Sequence, residues 1–473
     1  MYECPNCNAN LKFDIKTQML LCDRCDTKMD PYAFQKEQDA EEQTMQEDDY
    51  EITVFTCPQC GGRLVSDDTT AATFCSYCGS STILQSRVSN LRRPRYIIPF
   101  QKTKEDCRDI YRKMMKHAWY APGQMREEAY ISRMRSIYMP YWVYTAAKYG
   151  RARQSASQYV RNVNYDVTMY SWLQAHVKAE CKWLAFDASS SFSDRLSNAI
   201  APFVWLDIKR FTPSYLSGFY ADVDDVPPEL YESDVSDIMQ YELYKRFAKE
   251  PFFEKYTLGD MSDDLRPNEI YKELAMFPVW FLTYRDKDRV SYVVINGQTG
   301  KAAGDIPVDV NRYFMGSVLL ALPLFGLLSL VGNLQPAVML VAAGVMAGVC
   351  ALFSVRQQKW LRAKEDYMDD KGSGRYLDIG MRRERKPGKF AIPAVPLKVG
   401  DVLAVTWKPA IGILAAILIM VCQPALAFYY YAAAAAILML MGWDVMEIIG
   451  RHNLLASRPL PQFDRRGGEE DGR

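Results

Sequence analysis

The chain has 473 residues and balances 57 Lys and Arg against 57 Asp and Glu. At roughly 150 residues per domain, that length predicts about three units, and zero net charge argues against a polyanionic partner drawn in by the field of the whole molecule. Most long apolar runs follow residue 312, so a soluble part and then a membrane part are expected.

The chain opens on cysteine. Eight of the twelve Cys fall before residue 80, in four C-x-x-C knuckles: Cys4 with Cys7, Cys22 with Cys25, Cys57 with Cys60, and Cys75 with Cys78. Fourteen residues separate the two knuckles of each pair, and every Cys of the first set recurs 53 positions later. That is an internal duplication, read as two like modules. A C-x-x-C turn sets two thiolates on one tight hairpin, and a second turn completes a tetrahedral cage for Zn²⁺. Two structural Zn²⁺ ions are therefore expected, one per ribbon. A closed four-sulfur site keeps no position for water or substrate. Disulfides and redox chemistry are the competing readings of the same knuckles. Met1 leads straight into the first knuckle without a basic or apolar leader, so the first ~310 residues are expected in the cytosol, where thiols stay reduced.

Zinc ribbon 1 is expected over 1–30, an acidic linker over 31–52 and zinc ribbon 2 over 53–86. A ribbon this small buries too little apolar surface to fold alone, so metal supplies its folding free energy. A cytosolic α+β domain follows over 96–305. Within it a helix is expected over 104–118, capped by Thr103, with Cys107 and His117 as packing or surface residues. Aromatic, strand-like stretches cover 138–149, 167–186 and 290–296, and helix-like stretches cover 193–199, 233–247 and 268–275. The run at 137–144 has Pro140, Trp142 and Tyr144, and the run at 276–284 has Pro278, Trp280 and Tyr284. The echo is either a second internal repeat or two aromatic strands with the same solution. Gly297, Gly300 and Lys301 do not make a phosphate loop, because two residues rather than four part the glycines and Ala302 follows the Lys. Asn296-Gly297 reads instead as a hairpin turn.

Apolar runs at 313–331, 336–355, 409–422 and 425–443 predict a C-terminal domain of four transmembrane helices in two hairpins, 313–355 and 409–443. The connection 356–408 is strongly basic, the tail 444–473 carries Arg451, Arg458, Arg465 and Arg466, and the hairpin turns are uncharged. Positive residues favour the cytosolic side, so both termini are expected there. With Asp444 near a helix end and no ionisable group at mid-depth, the runs read as an anchor rather than an ion pathway.

The tandem ribbons, Tyr96 to Phe100, Tyr138-Met-Pro-Tyr-Trp142, Phe186-Asp-Ala-Ser189, Ala201-Pro-Phe203 and Tyr215-Leu-Ser-Gly-Phe219 together resemble bacterial membrane-anchored tandem zinc-ribbon proteins. These are often labelled TFIIB-type zinc-ribbon or primosomal-helicase-like proteins. The resemblance implies partnership with SPFH-domain or phage-shock-type proteins in envelope stress, at the cell membrane. The second membrane hairpin and the long basic loop depart from the shorter members. From the residues themselves, a non-enzymatic scaffold or adaptor is expected. Three His (His117, His176, His452) form no metalloprotease motif, and Ser189 to Ser191 form no nucleophile elbow. No catalytic or cofactor-binding residue is expected beyond the eight Cys. Nucleic-acid binding is the alternative, weakened by sparse positive charge on the ribbons and by the missing Walker A loop.

Overall fold

The computed structural model describes residues 2–33, 49–66, 75–79, 85–161, 163–331, 335–367 and 397–460. Most of the acidic linker, most of the basic loop, the first hairpin turn and the end of the tail lie outside them.

Residues 2–33 form a three-stranded antiparallel sheet: β1 (Leu11–Asp14), β2 (Met19–Cys22) and β3 (Lys28–Met29). Its apolar side is not left to water. Phe13 packs on Tyr215 and Phe219 with ring centroids 5.1 and 6.3 Å away, and Gln18 donates to the carbonyl of Phe100. Ser217 donates to the Leu11 carbonyl and Ser214 to that of Pro31, so the first ribbon is seated on the central domain.

The second ribbon is part of a thirteen-stranded sheet. It supplies β4 (Asp49–Thr56), β5 (Arg63–Ser66) and β6 (Gln85–Arg92). The chain continues through β7 (Tyr96–Ile97), α1 (Lys104–His117), the one-turn α2 (Glu128–Ile131), and then β8 (Arg135–Arg161) and β9 (Asp166–Asp187). After α3 (Asp194–Ile200) come β10 (Lys209–Arg210), β11 (Tyr220–Asp222), α4 (Glu232–Lys249), β12 (Thr257–Leu258), β13 (Glu269–Asp286), β14 (Arg289–Asn296) and β15 (Ala302–Gly304). Helix α1 starts where its cap requires. The Thr103 hydroxyl accepts from the Asp106 N–H, and the Asp106 carboxylate accepts from the Thr103 N–H.

The two Pro-x-Trp strands are neighbours. β8 and β13 pair antiparallel, with Met139 opposite Phe277 and with Pro140 and Pro278 one step to either side. That pair lies on a local two-fold axis, and the symmetry extends well beyond it. Parallel β7 joins β13 at Ala275 and Met276, while parallel β11 joins β8 at Ile137 and Tyr138. The Ala188 N–H donates to Pro140, and the Gly297 N–H donates to Pro278, each at 2.8 Å. Asp225 and Val226 donate to the Ala188 carbonyl, as Gln101 and Lys102 do to that of Gly297. The indole of Trp142 donates to Val226 and that of Trp280 to Lys102, at 2.8 and 2.9 Å. Of the two readings of the echo, the internal repeat holds: two β-α-β-β halves share one sheet, with the Pro and the Trp at equivalent positions in each.

The helix expected over 268–275 is instead the start of β13. Its good helix formers are overridden by full pairing with β8, from Glu269 opposite Ala147 onward. Asn296-Gly297 does begin a hairpin, with Ile295 opposite Ala302, but its loop is longer than a two-residue turn. A Cβ on Gly297 would stand 2.5 Å from the Phe100 ring and 2.9 Å from Pro278.

The C-terminal part is helical: α5 (Val310–Val331), α6 (Pro336–Tyr367), α7 (Val399–Cys422) and α8 (Ala427–Leu455), with β16 (Arg458–Pro459) after them. Where four spans were expected, three helical stretches among the described residues are long and apolar enough: Pro336–Arg362, Val399–Cys422 and Ala427–Leu455. The first run forms α5, with Pro323 in its interior where the ring removes a backbone donor. The third run, short as read from 409, is lengthened because α7 begins at Val399. Leu340, Ala343 and Ala347 of α6 meet Ala416 of α7 and Ala434, Ile437 and Met441 of α8, and the four alanines among them let the helices approach closely.

The bundle also gathers ionisable groups that the sequence left apart. Lys408 pairs with Glu447, and Arg451 lies 3.7 Å from Glu447 and 4.0 Å from Asp444. Ser354 accepts from Arg451 at 2.7 Å and donates to Asp444 at 3.3 Å. Lys408 and Asp444 are buried, and the Lys408 ammonium sits over the rings of Trp407 and Trp443. Two cations meet two anions, so the cluster is neutral and ties α6, α7 and α8 together.

Candidate metal centres

Each C-x-x-C knuckle closes the same way. The residue four after the first Cys adopts positive φ and donates its N–H back to that Cys carbonyl: Asn8 (φ 54°), Asp26 (55°), Gly61 (76°) and Gly79 (70°), at 2.8 to 3.0 Å. Glycine does this without Cβ strain, while Asn and Asp are the side chains that best tolerate it. The local sequence thus suits the turn, which brings both thiols together.

The turns bring the eight Cys into two groups, Cys4, Cys7, Cys22 and Cys25, and Cys57, Cys60, Cys75 and Cys78, with all sulfurs of a group within 4.8 Å of one another. In the first group, Cys4 and Cys25 are 3.5 Å apart, and Cys7 is 3.4 Å from both Cys22 and Cys25. In the second, Cys57 to Cys78 is 3.8 Å and Cys60 to Cys75 is 3.7 Å. A tetrahedron with ~2.3 Å metal–sulfur bonds has edges of about 3.8 Å, so both groups fit a four-coordinate ion. All eight are free thiols, spaced too widely for S–S bonds. Two sites able to hold a metal ion are thus present, where the spacing placed them.

Their surroundings differ. In the first site Cys4 and Cys22 are buried, Cys7 is half-buried and Cys25 is exposed. The Thr27 hydroxyl, 3.0 Å away, and the Thr27 N–H hold the Cys25 thiol down to about 6, poised as a thiolate ligand. In the second site all four are buried. Tyr77, between Cys75 and Cys78, is fully buried with its ring 6.1 Å from that of Phe281. Tyr292 donates to the Tyr77 carbonyl at 2.8 Å, and Thr283 donates to that of Ser76. Strands β13 and β14 thus grip the last knuckle, while β5 pairs with β11 on the far side. Cys57 is held low by the thiols of Cys60, Cys75 and Cys78, and Cys75 is pushed up by those of Cys57, Cys60 and Cys78. Four sulfurs this close ionise together only around a cation.

Beneath the second site lies a polar cluster that sequence reading missed. Asp222 is buried, accepts from Ser189 and Ser191, and is pushed up to about 6 by burial. Neighbouring Asp225 accepts from the N–H of Ser190. The serines do work, but by holding a buried carboxylate. No spacing signalled this, because Asp222 and Ser189 meet only where β11 and the end of β9 come together along one edge of β8. Cys107 is buried, and its thiol is raised to about 12 by burial.

No family profile and no solved structure matches this chain. It is similar to the uncharacterized protein YdjG of Bacillus subtilis (strain 168), with 28% identity over 345 residues. The match takes in 69% of this chain and 97% of that protein.

Proposed function

We propose that this protein is a non-enzymatic, membrane-anchored zinc-ribbon scaffold that docks protein partners beside the bilayer. The observation that carries the reading is continuity: one sheet holds the second four-Cys site, and its β14 also pairs with β16, the strand that follows the last membrane helix. A rigid body of this kind transmits position rather than chemistry. The metal at each site is taken to be Zn²⁺, since four thiolates in a closed tetrahedron suit it and leave no open position. Protein partners of the SPFH-domain or phage-shock type, in envelope stress or membrane maintenance, are the first to test, because the resemblance of the motifs points there.

We further read the anchor as four spans in the cell membrane with both ends cytosolic. The β14–β16 pairing supports an even count. Residues 289–290 precede the helices and 458–459 follow them, and hydrogen-bonded strands must share one side. Three crossings would part them, so α5 is taken as the fourth. The basic stretch between α6 and α7 then faces the same side.

The test is a pull-down of the full-length protein in mild detergent after nuclease treatment, with co-purifying chains identified by mass spectrometry. A stoichiometric protein partner that is lost when Cys57 and Cys60 are both Ser supports docking through the sheet. Nucleic acid retained by the untreated protein, with no protein partner, would replace this reading by nucleic-acid binding.

A further inference from the structure

Beyond Ala147, which lies opposite the first residue of β13, β8 and β9 run on together as a two-stranded ribbon. Its β8 edge is covered by β12 and by 259–264, through Gly259, Asp260 and Asp264. Strand β9 pairs with β8 alone among the described residues, so its outer edge is open from Asp166 to Lys182. Side chains here are large and apolar, yet wet: Tyr170 is 85% exposed, Trp172 65% and Met169 49%. An isolated two-stranded ribbon is marginal in water, and a long unguarded edge with aromatic side chains is a template for another strand.

The order of residues along β9 indicates which strand. We infer that the β9 edge pairs antiparallel with β9 of a second copy, about a two-fold axis at Gln174. That register sets Asp166 opposite Lys182, Tyr170 opposite Lys178 and Trp172 opposite His176, all on the face that is exposed in one copy. Acid meets base, the Lys178 ammonium meets the Tyr170 ring and the His176 imidazole meets the Trp172 indole. On the other face it sets Val167 opposite Cys181, Met169 opposite Ala179 and Leu173 opposite Ala175. Ala175, Ala179 and Cys181 there belong to the core under α4. The exposed Val167 and Met169 of each copy are thereby drawn against covered apolar residues of the other. Sliding by two residues in one direction sets Asp166 against Glu180, a like-charge clash. Sliding in the other carries Asp166 past the irregularity in β9 where Trp183 takes positive φ. A two-fold interface must be self-complementary, and this stretch is so in one register. The bilayer is a poorer occupant, because the ribbon leaves the strands at the end opposite Arg289, where β16 and the membrane helices attach.

The register is testable with a native thiol. In the full-length protein in mild detergent, Val167→Cys should give a disulfide-linked dimer on mild oxidation, through Cys181 of the second copy, and adding Cys181→Ser should abolish it. Gln174→Cys should cross-link to itself. Thr168→Cys, on the opposite face from Cys181, should cross-link at least tenfold less than Val167→Cys. Light scattering should give twice the chain mass for the unmodified protein, and the monomer mass for a Tyr170→Glu, Trp172→Glu variant that keeps its zinc. A monomeric unmodified protein, or equal cross-linking at 167 and 168, would overturn the pairing.

Discussion

At the scale of single residues, the two metal sites share ligands and turn geometry but not exposure. Cys25 stands in solvent, whereas all four ligands of the second site are under strands β13 and β14. A chelator reaches a site through its exposed ligand or through local opening. With a chromogenic chelator, release should be biphasic, one equivalent of metal leaving at least tenfold faster. Cys25→Ser should remove the fast phase, while the Cys57→Ser, Cys60→Ser variant should lose about one equivalent and keep membrane insertion. Asp222 gives a second prediction. Burial raises its carboxyl to about 6 in the folded chain against an ordinary 3.8. For a raised pKa, the stabilising share is full below the unfolded value and is lost as pH rises through the folded one. Two pH units correspond to about 3 kcal/mol. Asp222→Asn should therefore gain stability relative to the native protein as pH rises from 4 to 7, and melting curves at both pH values check it. A constant difference would show that Asp222 does not titrate in that window.

At the scale of elements, the internal repeat explains why certain positions admit no change. Gly297 and Ala188 occupy equivalent turns, but only Gly297 abuts the Phe100 ring, itself packed by Tyr138, Phe219 and Trp280. Gly297→Ala should destabilise the domain by about 1–3 kcal/mol through overpacking, read from denaturant midpoints. Thr103→Ala should cost about 1 kcal/mol by removing the α1 cap, so the two variants differ in cause. The region 268–275 shows the limit of local reading. Its Glu, Lys, Leu and Ala suit a helix, and only the distant β8 makes them a strand.

For the whole molecule, the apolar helices and the sheet cannot be treated as separate parts. Asn453 bonds Val308 across 145 residues of chain, with its amide donating 2.9 Å to the Val308 carbonyl and its carbonyl accepting from the Val308 N–H at 2.7 Å. The strand after α8 closes the sheet. A reporter active only outside the cytoplasm should thus give the same signal when fused after Arg473 as when inserted before α5, and silence at both is expected on the proposed orientation. Opposite signals at the two positions would part strands that the fold pairs. The buried ion cluster predicts a second whole-molecule property. Arg451→Leu leaves Asp444 without its cation, and removing one partner of a buried pair typically costs about 3–5 kcal/mol. It should lower the melting temperature in detergent, and Arg451→Lys should restore part of the loss.

Sequence by itself determined the parts whose physics is local: the grouping of the eight Cys into two sites able to hold a metal ion, the tight turns that bring them together and the apolar helices that follow. A C-x-x-C turn and a helix each satisfy their own backbone within a few residues, so their spacing carries their structure. Tertiary structure alone decided the rest. Whether Pro140 and Pro278 were kin, whether 268–275 was helix or strand, how deeply each metal site lies, and how Lys408, Asp444, Glu447 and Arg451 meet all depend on pairing across many tens of residues. Such contacts are set by which surfaces can be buried together, and no local pattern in one chain encodes that.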